Sequence, residues 1–376
     1  HDDTLPVLPF PDWETLPYDQ FSPHPDIVSQ RLATLHRLPT LKRGIVVVPV
    51  QTLMQRLAPL QYVIGNTFDV RVGQVLDLDA EKRRLGAAGY RNVPQVFDPG
   101  DFAVRGALLD VYPMGAEMPY RVELFDDRID TIRAFDPETQ RSFEKVDAVQ
   151  LLPGREVPLD DAARERAMDA LRERFDIDTR RSVLFQDLKA GHAPAGIEYF
   201  LPLFFDETAT LFDYLGDDAL PLVCDGASEA ADHFWKQTGE RCEQRRHDIE
   251  RPLLAPDALY LPPDQLRERL NQSGRMEVCG PQQGRHRIHR HVPVGGEEDA
   301  QQPGEEERAR PEQGQHADDD PELPQQVVGG GQGPGEVDGE GVAGAVAGHQ
   351  PGDEHDQADE AEPEREVGLE PEEEGE

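Results

Sequence analysis

The last aromatic residue in this chain is Tyr260. All 25 aromatic residues (15 Phe, 8 Tyr and 2 Trp) lie in the first 280 positions, and residues 281–376 contain none. Large apolar side chains supply most of the area a domain removes from water on folding. A segment with 17 Gly, 10 Pro and 27 Asp and Glu against 6 Arg cannot offset the conformational entropy it would lose on ordering. The sequence therefore predicts a packed core confined to residues 1–280 and a disordered acidic tail over 281–376. Of the formal charge of −37, the tail carries −21 (6 − 27) and the rest −16, which argues against a nucleic-acid surface. Cys224, Cys242 and Cys279 show no paired spacing, as suits a reducing compartment. No apolar run approaches the roughly 18 residues a membrane span needs. The opening "HDDTLPVLPF" has neither initiator Met nor basic leader, so the expectation is a cytoplasmic chain, cut at its N-terminus, with no membrane partner.

Inside residues 1–280 the pattern changes twice. "LPVLPF" (Leu5–Phe10) reads as a short strand. "DIVSQRLATLHRL" (Asp26–Leu38) has Ile27, Leu32, Leu35 and Leu38 at near-helical spacing. "GIVVVPV" (Gly44–Val50) reads as a buried parallel strand, and "QTLMQRL" as a helix with Thr52 at its N-cap. This is α/β grammar, too short for a complete doubly wound domain. From about Thr67 to Pro153, after a helix at "DAEKRRLGAAG", strand candidates follow one another: "VPQVF", "FAVRGALLDVYP", "PYRVELFD", "DTIRAF" and "SFEKVDAVQLL". Turn clusters "DPGD" and "DPET" separate them, giving a mostly antiparallel sheet. Helical spacing returns from Leu159 to about Phe175 and in "VLFQDLKAG", where Gly191 suits the helix end. "ALPLVC" (Ala219–Cys224) reads as another buried strand, and "SEAADHFWKQTGERCEQRR" as a helix beginning near Ser228 and Glu229.

The strand "PYRVELFDDRIDTIRAFD" (Pro119–Asp136) has an unusual polar face. Tyr120, Val122 and Leu124 point one way, and Arg121, Glu123 and Phe125 the other. From the residues alone, Phe125 either meets a partner or curls under the strand end while Arg121 pairs with Glu123 or Asp127.

Catalytic signatures are sparse. A nucleotide-hydrolysing loop needs Gly-Lys to hold phosphates, yet none of the five lysines (Lys42, Lys82, Lys145, Lys189, Lys236) follows a glycine. "GAAG" sits at a helix or turn and "GGGQGPG" in the tail. The histidines of "RHRIHRH" (His286, His289, His291) read as incidental rather than as metal ligands, and the carboxylates Asp126 and Asp127 as a polar turn. The expectation is no catalytic, cofactor or metal residue.

"DWETLPYDQFSPHPDIVSQRLATLHRLP", "GIVVVPVQTLMQRL", "FAVRGALLDVYPMGAEMPYRVELFDDRIDTIRAFDPETQRS" and "PAGIEYFLPLFF" resemble, in order and spacing, the N-terminal region of the bacterial transcription-repair coupling factor family, Mfd. The resemblance covers roughly residues 5–272. The first block also resembles the excision protein UvrB, whose long DNA-inserting hairpin finds no room here. The resemblance implies an α/β fold in which an incomplete, degenerate RecA-like (UvrB-like) domain is split by an inserted mostly antiparallel β domain that binds UvrA. The boundaries are residues 1–66 and 154–280 for the two RecA-like parts, 67–153 for the insert, and 281–376 for the acidic Gly/Pro-rich tail. Family residues that contact UvrA fall on Arg105, Arg121 and Phe125. The implied function is a non-enzymatic UvrA-recruiting adaptor in transcription-coupled nucleotide excision repair. An ATP-dependent DNA translocase, using ATP and Mg, and the RNA polymerase and DNA contacts belong to parts of full-length members with no counterpart here. A DNA-dependent ATPase and an acidic DNA mimic are the rival readings. The abrupt loss of aromatics and lysines reads as an out-of-frame tail, with a genuine acidic interaction tail as the alternative.

Overall fold

The computed structural model describes residues 5–216, 218–248 and 250–272, together with the backbone of 276–278. The expectations for the acidic tail and for the histidines of "RHRIHRH" lie outside the described residues.

The chain enters through β1 (Val7–Pro9) and α1 (Pro25–Arg37). His24 accepts the Asp26 N–H at the start of α1, and Pro25 occupies the first turn, where its missing N–H costs nothing. Val28, Leu32 and Leu35 stack on one face of α1 and are buried. β2 (Ile45–Val47) pairs with β1 in parallel. Contrary to the expectation from its continuous apolar run, β2 is not buried: Ile45 is 44% and Val47 55% exposed. The same holds for β11 (Leu222–Cys224), where Leu222 is 58% exposed. Residues 44–46 of the first and 220–224 of the second line one cavity of about 1330 Å³. Thr52 is not an N-cap either. Pro49 precedes α2 (Val50–Leu53), and Thr52 lies buried within it, donating to Asp12 Oδ1 at 3.2 Å.

After α3 (Leu60–Gly65), β3 (Phe68–Arg71) and α4 (Leu78–Ala87), the chain builds a six-stranded sheet in strict sequence order. Its strands are β4 (Arg91–Asn92), β5 (Asp101–Arg105), β6 (Leu108–Val111), β7 (Tyr120–Phe125), β8 (Arg128–Phe135) and β9 (Ser142–Val146). Only the β4–β5 pair is parallel. Two expected strands are each two strands. "FAVRGALLDVYP" folds back on itself at Gly106, whose φ of +59° suits the turn between Arg105 and Leu108. "SFEKVDAVQLL" divides at Asp147: β9 joins the large sheet, whereas β10 (Ala148–Leu151) pairs antiparallel with β3. "VPQVF" forms no strand beyond Arg91–Asn92; Pro94 has no N–H to donate to a ladder. The β7–β8 register passes from Glu123 opposite Thr131 to Leu124 opposite Ile129, leaving Asp130 as a bulge. That extra residue lets Ile129 and Ile132, three apart, both face the core at 1% exposure.

The second half is largely helical. α5 (Asp161–Arg174) starts on the Asp160 side chain, which accepts the Ala163 N–H. α6 (Val183–Ala190) ends on Gly191 at φ +81°. A 3₁₀ segment (Ile197–Leu203), α7 (Leu211–Tyr214), β11, α8 (Ala227–Arg245), α9 (Pro256–Leu259) and α10 (Pro263–Gln272) follow. β12 (Met276–Val278) pairs in parallel with β11.

One apolar cluster joins Leu8, Phe10, Leu32 and Leu35 to the inner sheet residues Phe102, Leu109, Val122 and Ile132. A second gathers Trp13, Tyr18, Leu171, Leu184, Phe200 and Tyr260. Between them, fully buried Arg31 on α1 meets Glu156 through Nε–Oε1 (2.5 Å) and Nη2–Oε2 (3.2 Å). Its guanidinium carbon lies 4.2 Å from the Phe10 ring centroid and 5.1 Å from that of Trp13. This ion pair ties the chain leaving the sheet to the helix that precedes it.

Candidate protein-binding site

Directly opposed residues in a sheet point to the same side. On the outer side, one row runs Ala103, Asp110, Arg121, Arg133 and Lys145, and its neighbour Arg105, Leu108, Glu123 and Thr131. The centre of this polar face is Asp110, which is 0% exposed. Arg121 grips it with both arms of its fork, Nε to Oδ1 at 2.7 Å and Nη2 to Oδ2 at 2.9 Å. Arg105 donates to Oδ2 from the other side. Arg121 therefore pairs with Asp110 across the strand, not with Glu123 or Asp127. Hydrogen bonding to Asp110 pushes its guanidinium above its ordinary range, so it stays charged.

The surroundings fix Arg121 further. Its guanidinium carbon sits 4.9 Å from the centroid of the buried Phe135 ring, and Nη1 approaches the Gln140 carbonyl at 3.4 Å. Gln140 holds a left-handed backbone, φ +61°, and its amide donates to the carbonyls of Val96 and Pro137. Val96, Ala103 and Phe135 form a small buried cluster over this corner of the outer face. The irregular 93–97 segment, expected as a strand, thus serves as a cover. Glu123 accepts from Thr131 at 2.8 Å and lies 3.6 Å from Arg133.

Phe125 is 73% exposed and does not curl under the strand end. The bulge is in β8, so β7 keeps its alternation and Phe125 shares the side of Arg121, about 13 Å along the strand. It pairs with Arg128, and Arg128 with Val75, so Val75 (52% exposed), Arg128 and Phe125 form a row at the hairpin end. Arg128 donates to the Gly73 carbonyl at 3.0 Å. Asp126 and Asp127 make the turn, Asp126 at φ +56°. Of the three site residues read from the sequence, two meet around one carboxylate and the third stands apart on the same side. Asp110 itself was missed. Its signal was an acidic residue alternating with Leu109 and Val111 in a strand, where a buried carboxylate needs a partner.

What such a face can do is bind: two guanidiniums against one carboxylate leave a positive surplus on the same side of the sheet as an exposed ring. Arginine and aromatic residues are favoured at interface hot spots. Residues 68–156 match the family model of the UvrB interaction domain. The chain is 45% identical over 273 residues to the transcription-repair-coupling factor of Escherichia coli (strain K12), covering 72% of this chain and 24% of that protein. The corresponding protein of Haemophilus influenzae is 45% identical over 271 residues, covering 72% and 24%. That of Myxococcus xanthus is 39% identical over 243 residues, covering 61% and 20%. Residues 68–156 thus carry the UvrB interaction domain, within a stretch that matches the transcription-repair-coupling factors. The chain spans about a quarter of the length of the first two of these curated relatives. The paired arginines and Phe125 lie inside the matched interaction domain, as do β3 to β10. Among the described residues no helix is long and apolar enough to cross a membrane.

Proposed function

We propose that this chain is the UvrA-recruiting module of a transcription-repair-coupling factor, acting as an adaptor in transcription-coupled nucleotide excision repair in the cytoplasm. Arg105, Arg121 and Phe125 make the contact. The observation that carries the reading is that all three lie on the outer side of one sheet, within residues matching the UvrB interaction domain. In this reading residues 1–66 and 154–280 are two parts of a degenerate RecA-like domain and 67–153 its insert. No cofactor takes part; ATP and Mg, the DNA translocase activity, and contacts with RNA polymerase and DNA belong to further parts of full-length relatives. The absence of any Gly-Lys pair in the chain supports a non-enzymatic role.

Titration of the purified chain against UvrA by calorimetry tests this. Phe125→Ala removes an exposed ring, so folding stability should stay within about 0.5 kcal/mol of the parent. Loss of a hot-spot anchor costs on the order of 2 kcal/mol in binding, roughly thirtyfold in Kd. Absence of any UvrA binding by the parent chain would overturn the reading.

A further inference from the structure

Asp110 cannot touch a partner, because no part of its side chain reaches solvent. Yet it is bound by Arg105 and Arg121, two of the arginines on the candidate face. Arg121 is nearly consumed by the fold: its side chain is 17% exposed, two of its nitrogens are on Asp110 and a third points at the Gln140 carbonyl. Arg105 is the opposite case. Its side chain is 48% exposed and spends one nitrogen on Asp110, with no other hydrogen bond among the described residues. A guanidinium carries its donors in a rigid planar fork that matches a carboxylate.

We infer that Asp110 is a positioning residue: it locks Arg121 into the sheet and aims the free donors of Arg105 at a carboxylate on the partner. This rests on the reading of the face as the UvrA contact and adds the chemistry of the partner's side, an Asp or Glu. The division of labour follows from charge. Two guanidiniums share one buried carboxylate, so the trio carries a surplus positive charge, and Arg105 is its more exposed member. Tethering Arg105 also removes part of the side-chain freedom that an unrestrained arginine loses on binding.

The test separates positioning from net charge because the two predict opposite signs. Asp110→Asn deletes a negative charge from a face that meets a carboxylate; charge alone would tighten binding. Positioning predicts that Asp110→Asn weakens UvrA binding by about tenfold or more. In a chain already carrying Arg105→Ala and Arg121→Ala, Asp110→Asn should change nothing further, since it acts through those two residues. Near-ultraviolet circular dichroism checks that each variant keeps its packing. If Asp110→Asn does not fold, Arg121→Lys serves instead: it keeps the charge against Asp110 but loses the fork, and is expected to weaken binding by a similar factor. A parent chain that fails to bind UvrA overturns the functional reading and this inference with it. A parent that binds, with Asp110→Asn folded and binding as tightly or more tightly, overturns the role of Asp110 alone. So does Arg121→Lys at parental affinity.

Discussion

Glu198 offers the sharpest test of the electrostatics of this fold. It lies in the 3₁₀ segment at 6% exposure, in the second half of the chain. Its Oε2 accepts the Ser22 hydroxyl at 2.9 Å, and Ser22 in turn accepts the Gly196 N–H at 3.0 Å. Burial dominates: it pushes the carboxyl up to about 7, against the opposing pull of its own backbone N–H, of Ser22 and of Arg155, while nearby Glu156 pushes the same way. The ordinary value is 4.5. The folded state therefore holds the proton more tightly than the unfolded state. Below pH 4.5 both states are protonated and burial of the neutral acid costs no ionisation. Between about 4.5 and 7 the unfolded chain ionises first, so this group lowers stability as pH rises; above 7 the loss is complete. The rise from 4.5 to about 7 corresponds to about 3 kcal/mol. Glu198→Gln keeps an oxygen to accept from Ser22 and removes the ionisation. Urea melts of parent and variant at pH 4.5 and pH 8 should show near-equal stability at the lower pH. At pH 8 the variant should be more stable by up to about 3 kcal/mol, on the order of 6 °C in Tm for a domain of this size. A variant less stable than the parent at pH 8 would refute the argument, since it would mean that attraction between the carboxylate and Arg155 outweighs desolvation. An equal difference at both pH values would refute it too.

Glu156→Gln leaves the fully buried Arg31 without its counter-charge and should cost about 3–5 kcal/mol by thermal denaturation. Replacing both partners together, as Arg31→Met with Glu156→Leu, should cost less than the single change. Gly196→Ala should destabilise by more than about 2 kcal/mol, because a Cβ there would lie 2.6 Å from the Asp19 carbonyl oxygen at a φ of +71°. The purified chain should turn over no ATP with or without DNA; hydrolysis that follows the protein through every purification step would contradict the reading of its glycine-rich stretches.

Sequence alone determined what depends on neighbours a few residues away. The spacing of Leu32 and Leu35 on α1, the alternation of Arg121, Val122 and Glu123 in β7, and Gly191 at the end of α6 all read correctly. Helix period, strand period and left-handed glycine are properties of the local chain. The runs that resemble the coupling-factor family were equally legible, because they are long and ordered. Tertiary structure decided everything that depends on who lies across the way. Ile45–Val47 and Leu222–Cys224 have the composition of buried strands, but burial needs covering groups on each side, and these strands border a cavity. The division of "FAVRGALLDVYP" at Gly106 places Asp110 beside Arg121, eleven positions on, and Arg105 against it, five positions back. Arg31 finds Glu156 across 125 positions. Charge pairing carries no local period, so a buried acid among aliphatic residues announces only that a partner must exist. Which arginine answers it is settled by strand register, and register is a property of the whole sheet.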